Sequence, residues 1–304
     1  MNRWAKQQAA ALITALFIVA LGAIIATAIA VNQRLLIHQT QLLNDYDQMV
    51  LYLQGVQYWA IDEIKQSTSN GINSGVLKNN RFLPLTLGNV TVDGSVVDAT
   101  AYFNLNSLAF TQNQPHFNLL VNLLKAKPNV DLAQNISNWL GSAIVDDNAY
   151  LQLTPPYRPS HHLMAEPSEL RTVLGVDQSL YLALQPYIVA LPQINYATNI
   201  NTAPKIMLMA LSPMITENLA NAILSCRNTA GQIINWNQLV GCVPQLAHLD
   251  SQTESGISYS TRYFIVYAHA HEGDRQLNLI SLLYLVPTQM NGPPRVDILW
   301  QAIE

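Results

Sequence analysis

The feature that most constrains this chain is an uncharged, apolar segment close to its N-terminus. No charged side chain lies between Lys6 and Arg34, and residues 9–31 are almost entirely apolar. A helix needs roughly 20 such residues to cross the hydrocarbon core of a bilayer. Because Arg3 and Lys6 precede the segment, the positive-inside rule predicts a cytoplasmic N-terminus, with the rest of the chain across the membrane.

A cleaved signal peptide is the alternative interpretation of this segment. Basic residues, an apolar run and the small residues of Ala28-Ile29-Ala30 follow one another as they do before a signal-peptidase site. The apolar run is longer than the roughly 7–15 residues that are usual in a signal peptide. Cleavage there would release a secreted soluble enzyme, so the mature N-terminus distinguishes the two interpretations.

The spacing of apolar residues predicts that the helix continues well beyond the membrane. Apolar side chains recur at intervals of three and four residues from Leu35 to Ile64, and no proline occurs before Pro84. We therefore predict one helix, the rod, whose transmembrane half is 10–31 and whose second half is 32–66. About 55 residues give a length on the order of 80 Å. Since a signal peptide would not form half of one helix, the pattern favours an anchor.

Composition limits the classes of function that are open to the rest of the chain. Hydrophobic residues make up 50% of it, so a core can form, whereas charged residues make up only 11%, against about 25% in typical domains. The net charge of −4 offers no basic surface for nucleic acid. The sequence contains no hydrolase, metalloprotease or phosphate-loop motif. We therefore predict a protein that is not an enzyme.

Two segments beyond the rod have the alternation of apolar and polar residues that is typical of strands. The first is 82–108, where Asp93-Gly94 predicts a hairpin turn, and the second is 257–304, where 272–274 predicts another turn. Between them the apolar spacing is helical. The order of elements is therefore rod, strands, helices, strands.

This order predicts an α+β fold in which a long N-terminal helix packs on an antiparallel sheet that is interrupted by a large all-helical insertion. We expect 67–109 and 257–304 to form one α/β core. The helical insertion then occupies 110–256. Because a sheet with one buried face needs a covering element, we expect the extramembrane half of the rod to pack on it.

A series of motifs in a fixed order resembles one family. The N-terminal "KQQAAALITALFIVAL" resembles a prepilin leader, and it is followed by "YFNLNSL", "DDNAYLQLTPPYRP", "ELRTVLG", "NINTAP" and "TRYFIVYAHAHEGDRQLNLISLLYLV". Through these motifs nearly the whole chain resembles the protein K family of the general secretion pathway, the large minor pseudopilins of bacterial type II secretion. The resemblance implies a type IV pilin-like fold. It also implies a subunit at the tip of the periplasmic pseudopilus that initiates or caps assembly with other minor pseudopilins and so helps to export folded proteins.

The resemblance also implies how the N-terminus is processed. Residues 1–9 correspond to a leader that a prepilin peptidase removes between Ala9 and Ala10, after which Ala10 is N-methylated. Ala9 replaces the glycine that usually precedes the cut. Thr14 stands where most pseudopilins carry a glutamate that neutralises the N-terminal amine of the subunit above, so its presence implies a tip position. The subunit is expected to reside in the inner membrane, with its bulk in the periplasm, before assembly.

One apolar face of the rod is the predicted contact with other minor pseudopilins. Leu42, Met49 and Leu53 recur on it at helical spacing. A helix lying on lipid is a weaker interpretation, because Asp45 and Asp47 supply no basic face for anionic headgroups. We therefore expect Leu42, Met49 and Leu53 to contact partner helices.

Asp146 and Asp147 are the candidate metal ligands. Hard oxygen ligands in a loop suit calcium, and the family resemblance implies a calcium site in the helical insertion. The acidic residues expected after Trp139 are absent, however, and a helix cap beside a solvated loop is the alternative. No other cofactor is predicted.

The two cysteines of the chain are a candidate disulfide. Cys226 lies near the end of a predicted helix, Cys242 follows the next one, and Gly231 between them allows the chain to turn back. An oxidising compartment such as the periplasm favours pairing. Closing a loop of this size contributes about 3 kcal/mol in the chain-entropy model. Two buried free thiols are the alternative.

One part of the helical insertion resembles a helix-hairpin-helix motif. It is "NINTAPKIMLMALSPMITENLANAIL", and "SELRTVLGVDQSLYLALQPYI" resembles a weaker copy. A membrane-tethered DNA-uptake receptor is therefore the alternative function. DNA-binding hairpins present backbone N–H groups, but Pro213 lacks one, and the turn 211–216 contains no Lys or Arg. We interpret the motif as a packing unit without a nucleic-acid partner.

Overall fold

The chain forms a long helix, an antiparallel sheet and a helical region, seen in a computed structural model. The structure describes residues 3–68, 73–126, 128, 130–141, 147–195, 197–287 and 292–304, and for 3–13 and 252 it describes the backbone alone. The α-helices are α1 (Arg3–Gln66), α2 (Gln114–Leu123), α3 (Leu132–Trp139), α4 (Asn148–Leu151), α5 (Gln178–Leu184), α6 (Lys205–Ala210), α7 (Glu217–Ala230), α8 (Trp236–Cys242) and α9 (Ser251–Ser255). The strands are β1 (Arg81–Leu87), β2 (Val90–Asp98), β3 (Phe103–Asn104), β4 (Ile188–Val189), β5 (Thr198–Asn199), β6 (Ile257–Ser258), β7 (Tyr263–Glu272), β8 (Arg275–Val286) and β9 (Arg295–Ile303).

The rod is α1, a helix of 64 residues that is on the order of 100 Å long. It passes through Ala28-Ile29-Ala30 without a break, so the predicted continuity of the anchor with the amphipathic segment is confirmed. Only its C-terminal part packs on the sheet. The apolar residues that it buries there include a series that recurs every three or four positions, Met49, Leu53, Val56, Ala60 and Ile64, together with Ile61.

The sheet has five strands in the order β1-β2-β7-β8-β9, and every neighbouring pair is antiparallel. Strands from both sides of the helical region therefore meet where β2 pairs with β7, as the sequence predicts. The turn at 272–274 is also confirmed, because β7 ends at Glu272 and β8 begins at Arg275, with Gly273 at a φ of 58°.

The predicted hairpin turn at Asp93-Gly94 is wrong. The turn lies earlier, at 88–89, where Gly88 has a φ of 62°, and Gly94 is in the middle of β2. A Cβ atom at Gly94 would lie 2.6 Å from Cγ1 of Val56 on the rod. The glycine therefore allows the rod to approach the sheet closely and does not mark a turn.

A buried polar contact sets the position of the rod along the sheet. Gln57 is 2% exposed, and its Nε2 donates to Oγ of Ser281 at 2.6 Å and to Oε1 of Gln301 at 3.1 Å. A one-turn slip of the helix would leave the buried side chains of Gln57 and Ser281 without this partner, at a cost of about 1–3 kcal/mol each. The contact therefore specifies register in an otherwise apolar interface.

The helical region, which we call the head, begins earlier than the sequence pattern predicts. Phe103, Leu105 and Leu108 were expected in the sheet-forming segment 67–109, but they pack in the large apolar core of the helices. The chain leaves the sheet at Asp98 and turns through a 3-10 helix at Ala99–Ala101. The head therefore starts at residue 103, because these side chains face α2 and α3 and not the rod.

The head contains two modules, each closed by a short pair of parallel strands. In the first module, residues 103–193, β3 pairs with β4. Asn106 then joins two distant parts of the module: its Nδ2 donates to the carbonyls of Met164 (2.9 Å) and Leu191 (2.8 Å), and its Oδ1 accepts from the Met164 N–H at 2.8 Å. One buried side chain thus satisfies three backbone groups.

The second module, residues 198–260, repeats this arrangement. Strand β5 pairs in parallel with β6. Nδ2 of Asn201 donates to the carbonyls of Ile233 (2.9 Å) and Tyr259 (3.1 Å), and its Oδ1 accepts from the Ile233 N–H at 2.8 Å. We call residues 104–106 and 199–201 the asparagine clasps of the two modules.

Candidate assembly interface

The outward face of the rod carries a stripe of exposed apolar side chains. Leu43 is 66% exposed, Leu51 63% and Tyr58 65%. Their spacing of eight and seven residues keeps them on one side of the helix, opposite the side that packs on the sheet. A soluble protein rarely leaves large apolar residues aligned in this way unless another surface covers them. We call these three residues the outward stripe.

The predicted partner contacts Met49 and Leu53 are wrong. Met49 is 3% exposed and Leu53 is fully buried, and both pack against strands β2, β7 and β8 of their own chain. Helical periodicity shows that a face is apolar but not which surface covers it. Leu42 is half-buried near the end of the same face, beside Arg275 of the β7–β8 turn.

Acidic residues accompany the outward stripe. Asp47 and Asp62 are exposed on this side of the rod, whereas Asp45 is held by Arg275 of the β7–β8 turn, whose guanidinium lies 3.2 Å from its Oδ2. The outward surface is therefore apolar with negative charge at intervals. Such a surface is complementary to a helix that carries apolar and basic residues.

The N-terminal half of the rod is apolar on all sides. Within the described residues, α1 is the one helix long and apolar enough to cross a membrane, and its side chains from Leu16 to Val31 are exposed. A helix that is apolar all round fits a membrane anchor. Thr14 lies in this half, while the side chains of Ala9 and Ala10 are outside the described residues, so their roles in processing and tip placement stay predictions.

The predicted calcium ligands fall at the edge of what the structure describes. Asp146 lies outside the described residues, and Oδ1 of Asp147 lies 3.1 Å from Nε2 of His161. Among the described residues, no three His, Cys, Asp or Glu side chains converge as metal ligands. The residues present therefore supply one carboxylate with a histidine partner, and the calcium site stays a prediction.

The two cysteines lie together in the second module, where Cys226 is buried and Cys242 is exposed. The structure joins Sγ of Cys226 on α7 to Sγ of Cys242 at the end of α8, and their Cα atoms are 5.9 Å apart. Gly231 ends α7 with a φ of 72°, which few other residues adopt readily. The covalent link thus ties α7 to α8 across this turn.

The helix-hairpin-helix-like turn between α6 and α7 combines a paired lysine with an apolar tip. Lys205 at the start of α6 pairs with Glu217 at the start of α7, with 2.6 Å between Nζ and Oε1, and this hydrogen bond and charge lower the pKa of Glu217. Within the turn, Ile215 is buried and Met214 is exposed. A neutralised lysine and an apolar tip do not form a phosphate-binding surface.

A buried carboxylate lies where the sheet, the loop after the rod and the second module meet. Asp98 is 3% exposed, and burial raises its pKa although four side-chain hydrogen bonds act in the opposite direction. Sequence patterns did not single it out. The available signal was the pair of similar tetrapeptides Asn-Leu-Asn-Ser at 104–107 and Asn-Ile-Asn-Thr at 199–202, the second of which binds this carboxylate.

The geometry of the rod and the sheet defines a protein of the type IV pilin-like class. In this class the first half of a long helix is apolar, the second half packs on an antiparallel sheet, and one stripe of the helix is left uncovered.

Comparisons with known proteins indicate the same class. The family model described as type II secretion system (T2SS), protein K matches residues 101–193. Type II secretion system protein K of Pectobacterium carotovorum is 27% identical over 92% of this chain and 93% of its own length. Its counterpart in Pseudomonas aeruginosa is 27% identical over 91% of this chain and 88% of its own length.

The fold is also that of a solved structure. A chain in the crystal structure of the GspK–GspI–GspJ complex from the type 2 secretion system of enterotoxigenic Escherichia coli superposes with a TM-score of 0.70 and 21% identity. The match covers 88% of this chain and 99% of that chain. These similarities agree with the resemblance to the type II secretion system protein K family that the order of the sequence motifs indicates.

Proposed function

We propose that this chain is a minor pseudopilin that stands at the tip of the type II secretion pseudopilus and initiates or caps its assembly. Residues 10–31 would anchor it in the inner membrane, with the sheet and head in the periplasm. The observation that carries the proposal is the outward stripe of Leu43, Leu51 and Tyr58, which lies on the rod opposite the face that its own sheet covers. An exposed apolar stripe along a helix is the surface on which a second helix packs.

The partner surface is argued from the chemistry of the stripe. Burying a leucine-sized side chain contributes roughly 1.5–3 kcal/mol, so covering the three side chains of the stripe offsets a large part of the cost of association. Asp47 and Asp62 flank it and favour a partner rod with a Lys or Arg between its apolar positions. The protein of similar fold was crystallised in a complex with GspI and GspJ, which makes the corresponding minor pseudopilins of the same secretion system the partners to test.

Two features support a place at the end of the filament. Thr14 offers no carboxylate to the N-terminal amine of a subunit above, and an unpaired charge at membrane depth is costly. The head is also far wider than the rod, so identical heads at filament spacing would collide. We therefore expect one copy in each filament and a structural, non-catalytic role.

The interface is tested by co-purification of the full-length chain, in detergent, with its candidate partner pseudopilins. Leu51→Asp and Tyr58→Asp should each weaken the complex by about 10–100-fold, the factor that losing one buried apolar side chain implies. The matched control is Gln48→Asp, which adds the same charge at an exposed position on the flank of the rod. Equal affinities for all three variants would contradict the proposed interface.

Anchoring and processing have their own test. Mass spectrometry of the mature protein from membranes should find N-methylated Ala10 as the first residue. A start at Val31 would show signal-peptidase cleavage and overturn the anchor, and an unprocessed Met1 would show that Ala9 is not accepted before the cut. The tip position would be contradicted by long homopolymers of the isolated full-length chain.

A further inference from the structure

We propose that Asp98 is a latch that fastens the start of the second module to the sheet and to the loop after the rod, and that opening it frees residues 198–202 while the rod, the sheet and the apolar core of the head stay folded. The inference concerns how the head is held and does not depend on the partners or position proposed above. It rests on the contacts of Asp98, on the difference between the two modules, and on the neutral side chains that surround the carboxylate within the described part of the chain.

The carboxylate of Asp98 divides its hydrogen bonds between its own strand end and the head. Oδ1 accepts from the backbone N–H of Thr100 (2.8 Å) and from its hydroxyl (2.7 Å). Oδ2 accepts from Nδ2 of Asn199 (2.7 Å) and from the hydroxyl of Thr202 (2.5 Å). One oxygen is therefore satisfied locally, and the other is satisfied by the second module.

The loop that follows the rod closes the site from the third side. Nδ2 of Asn199 also donates to the carbonyl of Ser74 at 2.7 Å. Gly75 lies directly over the pair with a φ of 81°, and a Cβ atom there would approach Oδ2 of Asp98 to 2.6 Å and Nδ2 of Asn199 to 2.8 Å. Three segments that are distant in sequence thus converge on one carboxylate oxygen.

The first module provides a comparison, because the asparagine at the equivalent position of its clasp does not bind a carboxylate. Asn104 corresponds to Asn199, and its Nδ2 donates to the carbonyl of Gln193 at 2.6 Å, a neutral group at the end of its own module. The first module is held on the sheet by apolar contacts instead, with Val189 and Leu191 packed against Ile265 and Leu282. Among the described contacts of the two modules with the sheet, the one made through a carboxylate belongs to the second module.

The charge of the latch has no counter-ion among the described residues. The side chains that hydrogen-bond to Asp98 from the strand end, the second module and the start of β7 are all neutral: Thr100, Asn199, Thr202 and Thr261. The titratable group that faces it is Tyr102, whose pKa is raised by burial and by the charge of Asp98. A buried carboxylate without a cation is stable only while its donors stay in place, so losing one donor favours opening and hydration of the site.

An exchange of the two latch residues tests the proposal in the full-length chain in detergent, by amide hydrogen exchange. Asp98→Asn places one NH2 group against another, and Asn199→Asp places one carboxylate against another. Each should speed exchange at residues 198–202 by about 5–100-fold, the range expected for an unsatisfied buried group, with residues 263–286 of the sheet unchanged. The double variant Asp98→Asn/Asn199→Asp restores an amide facing a carboxylate and should return most of the protection.

The control is Asn104→Asp, which changes the equivalent clasp residue in the module that has no carboxylate partner. It should speed exchange near 188–193 and leave 198–202 unchanged. Unchanged exchange in both single latch variants would overturn the proposal. So would faster exchange across the whole sheet and rod, which would make Asp98 part of one cooperative core, or a double variant that is less protected than either single variant. Gly75→Ala, which crowds the site without changing its charge, should reproduce the effect of the single variants if these prove too unstable to purify.

Discussion

The rod and the head of this protein satisfy their side chains in opposite ways. The rod buries one face on the sheet and leaves large apolar residues exposed along the other. The head encloses its apolar side chains in a large core of its own and closes each module with an asparagine clasp. The head therefore covers most of its own apolar surface, whereas the rod leaves an apolar face that only another surface, such as the proposed partner helix, would cover.

The largest expected effect distinguishes the two faces of the rod itself. Leu53→Ala removes a fully buried side chain and should lower the free energy of unfolding by about 2–5 kcal/mol. Leu51→Ala makes the same chemical change two residues away, on the outward stripe, and should cost within about 0.5 kcal/mol. Thermal unfolding of the full-length chain in detergent, followed by circular dichroism, measures both. Equal losses would mean that the outward stripe is already covered within the chain.

The disulfide should affect the head and leave the rod unchanged. Replacing both Cys226 and Cys242 by alanine should destabilise the second module by about 3 kcal/mol, the loop-closure contribution for this length, and should leave affinity for the partner pseudopilins unaltered. Thiol labelling of the unfolded, unreduced wild type gives the direct check: no reactive thiols are expected. Two labelled cysteines would refute the bond.

Removing the asparagine clasp of the second module should lower the free energy of unfolding less than removing a core leucine but more than removing a surface side chain. Asn201→Ala leaves buried backbone groups of Ile233 and Tyr259 without their partner. Because the space left by the side chain admits water that can hydrogen-bond to these groups, we expect a total loss of about 1–3 kcal/mol. Asn218→Ala, at an exposed position in α7, is the matched control and should be near neutral. Urea denaturation monitored by the fluorescence of Trp236 in this module compares the two. Similar midpoints for both variants would count against the clasp.

The smallest expected effect is the pH dependence of the latch. Burial raises the pKa of Asp98 above 3.8 in the folded state, so the folded state binds the proton more tightly than the unfolded state. This contribution to stability is fully present below pH 3.8 and is lost as the pH rises through the raised folded value. Other carboxyls act oppositely, because hydrogen bonds lower the pKa of Asp177 and of Asp250.

The difference between wild type and Asp98→Asn isolates the latch from these other groups. Stability of the wild type relative to this variant should increase as the pH falls from 7 towards 4, measured by thermal unfolding at each pH. A constant difference would show that Asp98 does not titrate in this range. A difference that shrinks on acidification would show that its pKa is lowered, contrary to the effect of burial.

Local sequence patterns predict where most helices and strands lie, but they do not predict which face of each element is buried or what covers it. The rod and the turn at 272–274 depend on the spacing of residues close in the chain, and both were predicted correctly. The prediction of a turn at Gly94 is wrong because a glycine next to an aspartate looks the same in the sequence whether it bends the chain or makes room for a neighbouring helix. Met49 and Leu53 were assigned to partner contacts because a helical repeat does not show what covers an apolar face.

The sequence by itself determined the apolar N-terminal segment, the continuous rod, the alternation of strands and helices, and, through its ordered motifs, the resemblance to one family. These properties depend on interactions between near neighbours or on whole motifs. Only the tertiary structure decided which rod face stays outward, that Asn106 and Asn201 play the same part in two modules, and that Asp98 meets Asn199 across 101 residues of chain. The physical reason is that burial and hydrogen-bond partnership belong to pairs of surfaces, and residues that are distant along the chain become neighbours only when those surfaces pack.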